Sequence, residues 1–215
     1  TTNRIICLGN RTLKNSPITI ITSLPENFSF KRFRLQIEEK VSFFNGGIKV
    51  KDITFAFSEK TKIWHPEELK YPFFPYDIRQ GIRYFYKILQ NRDLEPRGFG
   101  EILFLKNLDP KKLNYNKKVH TEVSECKRWI CQSSAKENKA CISRPYWAEN
   151  LLGLGLGLTP SGDDFIGGVM IGLHICKKIF MAQCIWDQVS ENISDSTSPI
   201  AGAHLYAAST GLGPA

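Results

Sequence analysis

The sequence predicts an α+β chain: a small N-terminal antiparallel β-barrel or curled sheet, then a mostly α-helical domain. Three observations predict it. Up to about residue 62, short apolar runs alternate with period two and end on turn residues. Prolines at 66, 72 and 75 then break that pattern. From Tyr76 onward the apolar residues recur at helical spacing, and the stretch from Gly153 to Gly168 leads into a run that is almost wholly apolar. The domains that follow are a β domain over 1–62, a proline- and aromatic-rich linker over 63–80, and a helical domain over 81–215 carrying the glycine-rich loop.

Each element has its own signal. Arg4 to Leu8 and Ile18 to Leu24 are β-branched-rich runs closed by Gly9-Asn10 and by Pro25. Phe33, Leu35 and Ile37 alternate, as do Ile53, Phe55 and Phe57. Val41 to Phe44, Asn45-Gly46-Gly47, then Ile48 and Val50 form the strongest hairpin signal of the chain. Five or six short strands would curl or close on themselves, with the phenylalanines as core. The prolines after residue 63 make a semi-rigid connection, and the lone His65 there reads as a solvated or satisfied residue.

Ile78, Ile82, Phe85, Tyr86 and Leu89 predict a helix ending near Asn91. Gly98 to Leu105 is apolar, with strand and helix both open. Asp109 to Lys118 reads as an exposed loop. Val119 to Glu137 reads as a polar helix with Cys126, Trp129 and Ile130 inward, and Ala140 to Leu152 leads into the glycine stretch. A buried helix is expected from 163 to about 178, beginning at or near Ser161. Further helices are expected from Ala182 to Ile193 and from Ala201 to Thr210. Gly167, Gly168 and Gly172 lie near one side of the buried helix, and the small residues of 201–208 are their natural partner.

Composition narrows the function classes. The chain has 215 residues, enough for a sizeable core. Its net charge of +8 suits anionic metabolites or nucleic acid, but no nucleic-acid motif is present and the basic residues form no single helix face, so no nucleic-acid partner is expected. The six cysteines contain no Cys-x-x-Cys pair, and the histidines complete no zinc pattern. Reduced thiols acting as small hydrophobes, Cys7 and Cys176 among them, fit a cytoplasmic protein. No signal peptide is evident, and the run from Phe165 to Phe180 is too short and glycine-rich to span a membrane.

The chemistry concentrates in Gly153-Leu-Gly-Leu-Gly-Leu-Thr-Pro-Ser-Gly-Asp-Asp-Phe165. Ser161 can N-cap the following helix with Asp164 as its partner, or Thr159 can cap it with Pro160 at the first helical position. Asp163 and Asp164 suit the positive end of the helix dipole, and Lys177 and Lys178 the negative end. A helix start needs only one cap, so the surplus of glycine and polar groups points to a ligand. Alternating glycines expose peptide N–H groups, and a glycine loop entering a helix start suits an anion. Two carboxylates would repel a bare phosphate but could hold a Mg²⁺ that bridges to it, or an amide or ammonium donor. The spacing matches neither the dinucleotide fingerprint nor a Walker A loop. The bland alternative is a tightly packed glycine turn with a decorated cap.

This stretch resembles the signature Gly-Leu-Gly-Pro-Gly-Leu-Thr-Pro-Ser-Gly-Asp-Asp-Phe-Leu of a bacterial family long catalogued as a domain of unknown function. One branch of that family is the AllH-type subunit of oxamate carbamoyltransferase, in anaerobic allantoin degradation. Leu156 stands where the family usually has proline, which affects loop stiffness more than chemistry. Thr197-Ser-Pro-Ile-Ala-Gly-Ala-His-Leu205 is similar to a downstream family segment, with Ala201 where serine is common. Members of the family usually run longer, with another glycine-rich segment further on.

The resemblance implies carbamoyl transfer between oxalurate and phosphate, giving oxamate and carbamoyl phosphate. Asp163, Asp164 and Ser161 would then be the catalytic candidates, and Gly155, Gly157, Thr159 and Gly162 would bind a small anionic substrate. Loop N–H groups would hold phosphate or carboxylate, Thr159 and Ser161 would donate hydrogen bonds, and an aspartate would orient the carbamoyl amine or a metal. Other subunits of the same enzyme are the expected partners. A non-catalytic anion-binding or scaffold subunit is the second reading; a nucleotide or nucleic-acid binder rests on charge alone.

Overall fold

The hairpin forms where Asn45-Gly46 predicts it. In the computed structural model, β3 (Val41–Phe44) and β4 (Gly47–Val50) pair antiparallel in the register Phe44↔Gly47, and Gly46 takes φ +108 in the two-residue turn. The structure describes residues 6–63, 65, 75–91, 98–100, 113–133 and 143–213. The chain divides into two compact units, one mainly Arg4–Pro66 and the other mainly Glu67–Leu212.

In the first unit, β1 (Cys7–Gly9) and β2 (Thr19–Ile21) form a two-stranded sheet, and β3, β4 and β5 (Ile53–Ala56) form a separate three-stranded antiparallel meander. Three expectations are corrected here. No closed barrel is present among the described residues. The first strand pair is parallel, in the register Cys7↔Thr19. Polar side chains tie the end of β1 to the chain that leaves β2: the Asn10 amide donates to the carbonyls of Pro25 and Glu26, and Thr22 Oγ1 donates to the Gly9 carbonyl. Finally, the alternation of Phe33, Leu35 and Ile37 does not make a strand. A 3₁₀ turn, Phe30–Phe33, is capped by Ser29 and closed by Arg34 in the left-handed region, and Ile37 is 97% exposed. The phenylalanines are only partly core. Phe28, Phe30, Phe33 and Phe55 make ring contacts at 5.2–6.1 Å, whereas Phe43, Phe44 and Phe57 face solvent.

The second unit is helical. Helix α1 (Pro75–Asn91) begins inside the 63–80 stretch read as linker; the prolines at 66 and 72 lie outside the described residues. Helix α2 (Leu113–Ser133) begins within the stretch expected to be a loop, and buries Asn116, Val119, Cys126, Trp129 and Ser133 along one face. Of the undecided piece after Gly98, only 98–100 is described: Phe99 is buried and starts a helical turn. Then come α3 (Tyr146–Leu151), α4 (Ser161–Ile175), α5 (Ile179–Val189), the short α6 (Ile193–Ser196) and α7 (Pro199–Ser209).

Their core includes Leu151, Ile166, Met170, Met181, Ile185 and Leu205, all fully buried, each contributing about 1.5–3 kcal/mol. Aromatic rings extend it through α2, α3 and α4: Trp129 on Trp147 and Trp147 on Phe165, with Phe165 on Phe99. Trp129 Nε1 donates to the Ser143 carbonyl at 2.6 Å, fixing the entry to α3. On the surface, Glu149 of α3 accepts from Gln188 and Asn192.

The apolar run expected to end near 178 is two helices. Lys177 turns left-handed at φ +58; its N–H reaches His174 O at 2.9 Å, and Lys178 N–H reaches Leu173 O at 2.8 Å. This 6→1 and 5→2 pair ends α4 at Ile175 and starts α5 at once. Cys176 sits at that corner and is exposed, which corrects its expected burial in the helix. Gly167 alone of the three glycines faces α7: a Cβ there would stand 3.6 Å from the Ala208 methyl, whereas Gly168 and Gly172 have open space.

Candidate functional site

The glycine stretch lies between α3 and α4 and is shaped by close backbone approach. Gly153 takes φ +70, and a Cβ on it would stand 1.9 Å from the Ser196 carbonyl oxygen. At Gly162, at the start of α4, a Cβ would stand 1.9 Å from the Leu151 carbonyl oxygen. Gly155 and Gly157 take φ +130 and +100; the first abuts Ser161 N, and the second opens to solvent. The sequence therefore uses glycine in two ways here: 153 and 162 for contact, 157 for backbone angle alone.

Asp163 holds these pieces together. It is 3% exposed. Its Oδ1 accepts from Gly153 N–H at 2.8 Å, and its Oδ2 accepts from the Thr197 hydroxyl in the α6–α7 connection. One carboxylate thus joins the loop entry, the start of α4 and the approach to α7. Burial pushes its pKa up, and the hydrogen bonds from Gly153 and Thr197 oppose that shift. Asp164, one residue on, is exposed. Its pKa is also raised, by partial desolvation first and the neighbouring Asp163 charge second, while His204 of α7 pulls the other way.

The capping differs from both registers read in the sequence. Ser161 is the first helical residue and not the N-cap; Pro160 occupies that place with no side-chain cap. Pro160 O instead accepts from the N–H groups of Asp163 and Asp164 at 2.9 and 3.1 Å. Ser161 Oγ lies against Gly98, where a Cβ would stand 2.0 Å from it. Helix α7 has the side-chain cap: Ser198 Oγ accepts from Ala201 N–H at 3.0 Å, with Pro199 following. The same hydroxyl donates to the Leu158 carbonyl in the loop.

Not every expected ligand group is free. Gly162 is buried and its N–H goes to Leu154 O at 2.8 Å; the Gly153 N–H goes to Asp163. By contrast, among the described residues no acceptor takes the N–H groups of Gly155, Leu156, Gly157, Leu158, Thr159 or Ser161. Leu156 and Leu158 project outward, 97% and 67% exposed. The described residues contain no group of three or more metal-ligating side chains, and both oxygens of Asp163 are already engaged. What the arrangement offers chemically is a run of peptide donors beside Thr159, Ser161 and the Asp164 carboxylate.

Sequence reading did not find Gly98, His204 or the double role of Ser198. The Ser-Pro pair at 198–199 was the available signal for the cap. Gly98 lies far along the chain from the loop and has no local signature, whereas His204 stands in the Thr197–Leu205 stretch that resembles the downstream family segment.

Residues 151–213 match the family model described as oxamate carbamoyltransferase subunit AllH, in agreement with the resemblance carried by the signature. No curated protein and no solved structure matches the chain. No helix among the described residues is long and apolar enough to cross a membrane.

Proposed function

We propose that the chain is a subunit of an oxamate carbamoyltransferase-like enzyme, and that residues 155–164 bind its small anionic substrate. The observation that carries this reading is the coincidence of the family match over 151–213 with a loop in which, among the described residues, the N–H groups of 155–159 and Ser161 have no protein acceptor. In the reaction, a phosphate oxygen attacks the ureido carbonyl of oxalurate. The carbon–oxygen bond to phosphate forms, the carbon–nitrogen bond to oxamate breaks, and the departing nitrogen takes a proton. Such a transfer depends mainly on positioning and charge stabilisation. The peptide donors of 155–159 would hold phosphate or the substrate carboxylate. Thr159 and Ser161 would add hydroxyl donors, Asp164 would orient the carbamoyl amine, and Asp163 would fix the loop without touching substrate.

A second reading is a non-catalytic subunit that binds an anion or docks a partner. It draws on the engagement of Asp163, Gly153 and Gly162 inside the protein, which leaves fewer groups for chemistry. Assays of carbamoyl phosphate formation by the chain alone, and with partner subunits, separate the readings. On the first, Asp164→Asn in the active assembly reduces turnover by about tenfold or more, on the order of 1.4 kcal/mol. Unchanged turnover would favour the second.

A further inference from the structure

We infer that Ser198 is a positioning residue for the glycine loop, its single hydroxyl both capping α7 and clamping the segment proposed to hold substrate. Residues 155–159 have few other ties. Among the described residues, the hydrogen bond from Ser198 Oγ to Leu158 O is the only one made by a backbone group of that segment. The same oxygen accepts from Ala201 N–H at 3.0 Å. A hydroxyl can donate to a carbonyl and accept from an amide through one atom. Aspartate or glycine would serve as an N-cap, but neither would donate to Leu158.

The neighbours of Ser198 reinforce the clamp. Thr197 donates to Asp163, and the Ser196 carbonyl packs on Gly153 so closely that no side chain fits there. The loop is therefore engaged by three consecutive residues of the α6–α7 junction at its entry, at its far end and at the helix that follows it. Helix α7 packs on α4 through Gly167 and Ala208, so the junction is fixed relative to the helix that carries Asp164. The clamp sets the direction of the peptide donors at 155–159 and acts on substrate only through them.

The functional half of this inference rests on the proposed carbamoyl transfer; the clamp itself does not. The test compares Ser198→Gly, which removes the donor while glycine still serves as an N-cap, with Ser198→Thr, which keeps both roles. Two readouts are used. The first is chymotrypsin cleavage after Leu156 and Leu158 in the isolated chain. It should rise several-fold in Ser198→Gly and stay at the wild-type rate in Ser198→Thr. The second is steady-state kinetics of the assembled enzyme. KM for inorganic phosphate should rise about fivefold or more in Ser198→Gly, kcat should change less than twofold, and Ser198→Thr should restore both. Wild-type cleavage in Ser198→Gly, or equal impairment of both variants, would overturn the clamp. A wild-type assembly without carbamoyl phosphate turnover would defeat the functional reading, and the cleavage rates would still decide the clamp.

Discussion

Asp163 and Asp164 are adjacent in sequence and opposite in circumstance. The first is buried with both oxygens occupied, and the second is exposed beside it. The sequence marks the pair but not their division. Adjacent helical residues point about 100° apart, and only the packed junction at Thr197 determines which one turns inward. Asp163→Ala should cost about 1–3 kcal/mol, because it strands the Gly153 N–H and the Thr197 hydroxyl. Asp164→Asn should change stability by less than about 0.5 kcal/mol, as surface substitutions usually do. Urea denaturation of the two variants checks both values. Their titration gives a second expectation. An unfolded aspartate titrates near 3.8, and both groups titrate higher in the folded chain. Between those values the folded state binds more protons, so acidification stabilises the fold through this pair, and the gain is lost as pH rises through the raised values. Asp164→Asn removes one such group and relieves the repulsion on the other. Melting curves from about pH 7 to about pH 4 should therefore shift in favour of the wild type as pH falls. A constant offset would show that Asp164 does not titrate above its unfolded value in the folded chain.

At the scale of elements, α4 and the loop before it show three glycine environments close together. Gly167→Ala should be neutral or stabilising by about 0.5–1 kcal/mol, since its methyl meets Ala208 at ordinary contact distance and alanine favours helix. Gly162→Ala should destabilise by about 1–3 kcal/mol or more, because the Leu151 carbonyl stands where the methyl must go. Gly157→Ala, with open space but φ +100, should carry only backbone strain of about 1–3 kcal/mol. Thermal melts of the three variants, read against the wild type, test this order. The start of α4 was legible, since prolyl-seryl-glycine followed by two carboxylates and an apolar run leaves few alternatives. Its end was not, because hydrophobicity continues past Ile175 into Ile179 and Phe180. The break lies in Lys177 adopting a left-handed angle that no lysine advertises. The start of α2 at Leu113 was hidden by the polar Asn114, Asn116 and paired lysines, even though Asn116 itself is buried.

Over the whole molecule, the order of strands before helices was legible from the change of period, while the arrangement of strands was not. Parallel pairing of Cys7–Gly9 with Thr19–Ile21 depends on contacts across the connection between them, and three-residue strands carry almost no register information. Thiol chemistry samples the second unit from core to surface. Burial pushes the Cys126 thiol up to about 12, whereas Cys131 and Cys176 are exposed. Native alkylation should modify Cys131 and Cys176 quickly and spare Cys126 until the protein unfolds; Cys141 lies outside the described residues. On the proposed function the clamped loop at 155–164 receives a small anion, and a titration of the isolated chain with inorganic phosphate, followed by amide nuclear magnetic resonance, tests this. Saturable shifts should centre on the N–H groups of Gly155, Leu156, Gly157, Leu158, Thr159 and Ser161 and be reduced in Ser198→Gly. Shifts confined to the lysine-bearing surfaces, with those amides unmoved at saturating phosphate, would contradict it.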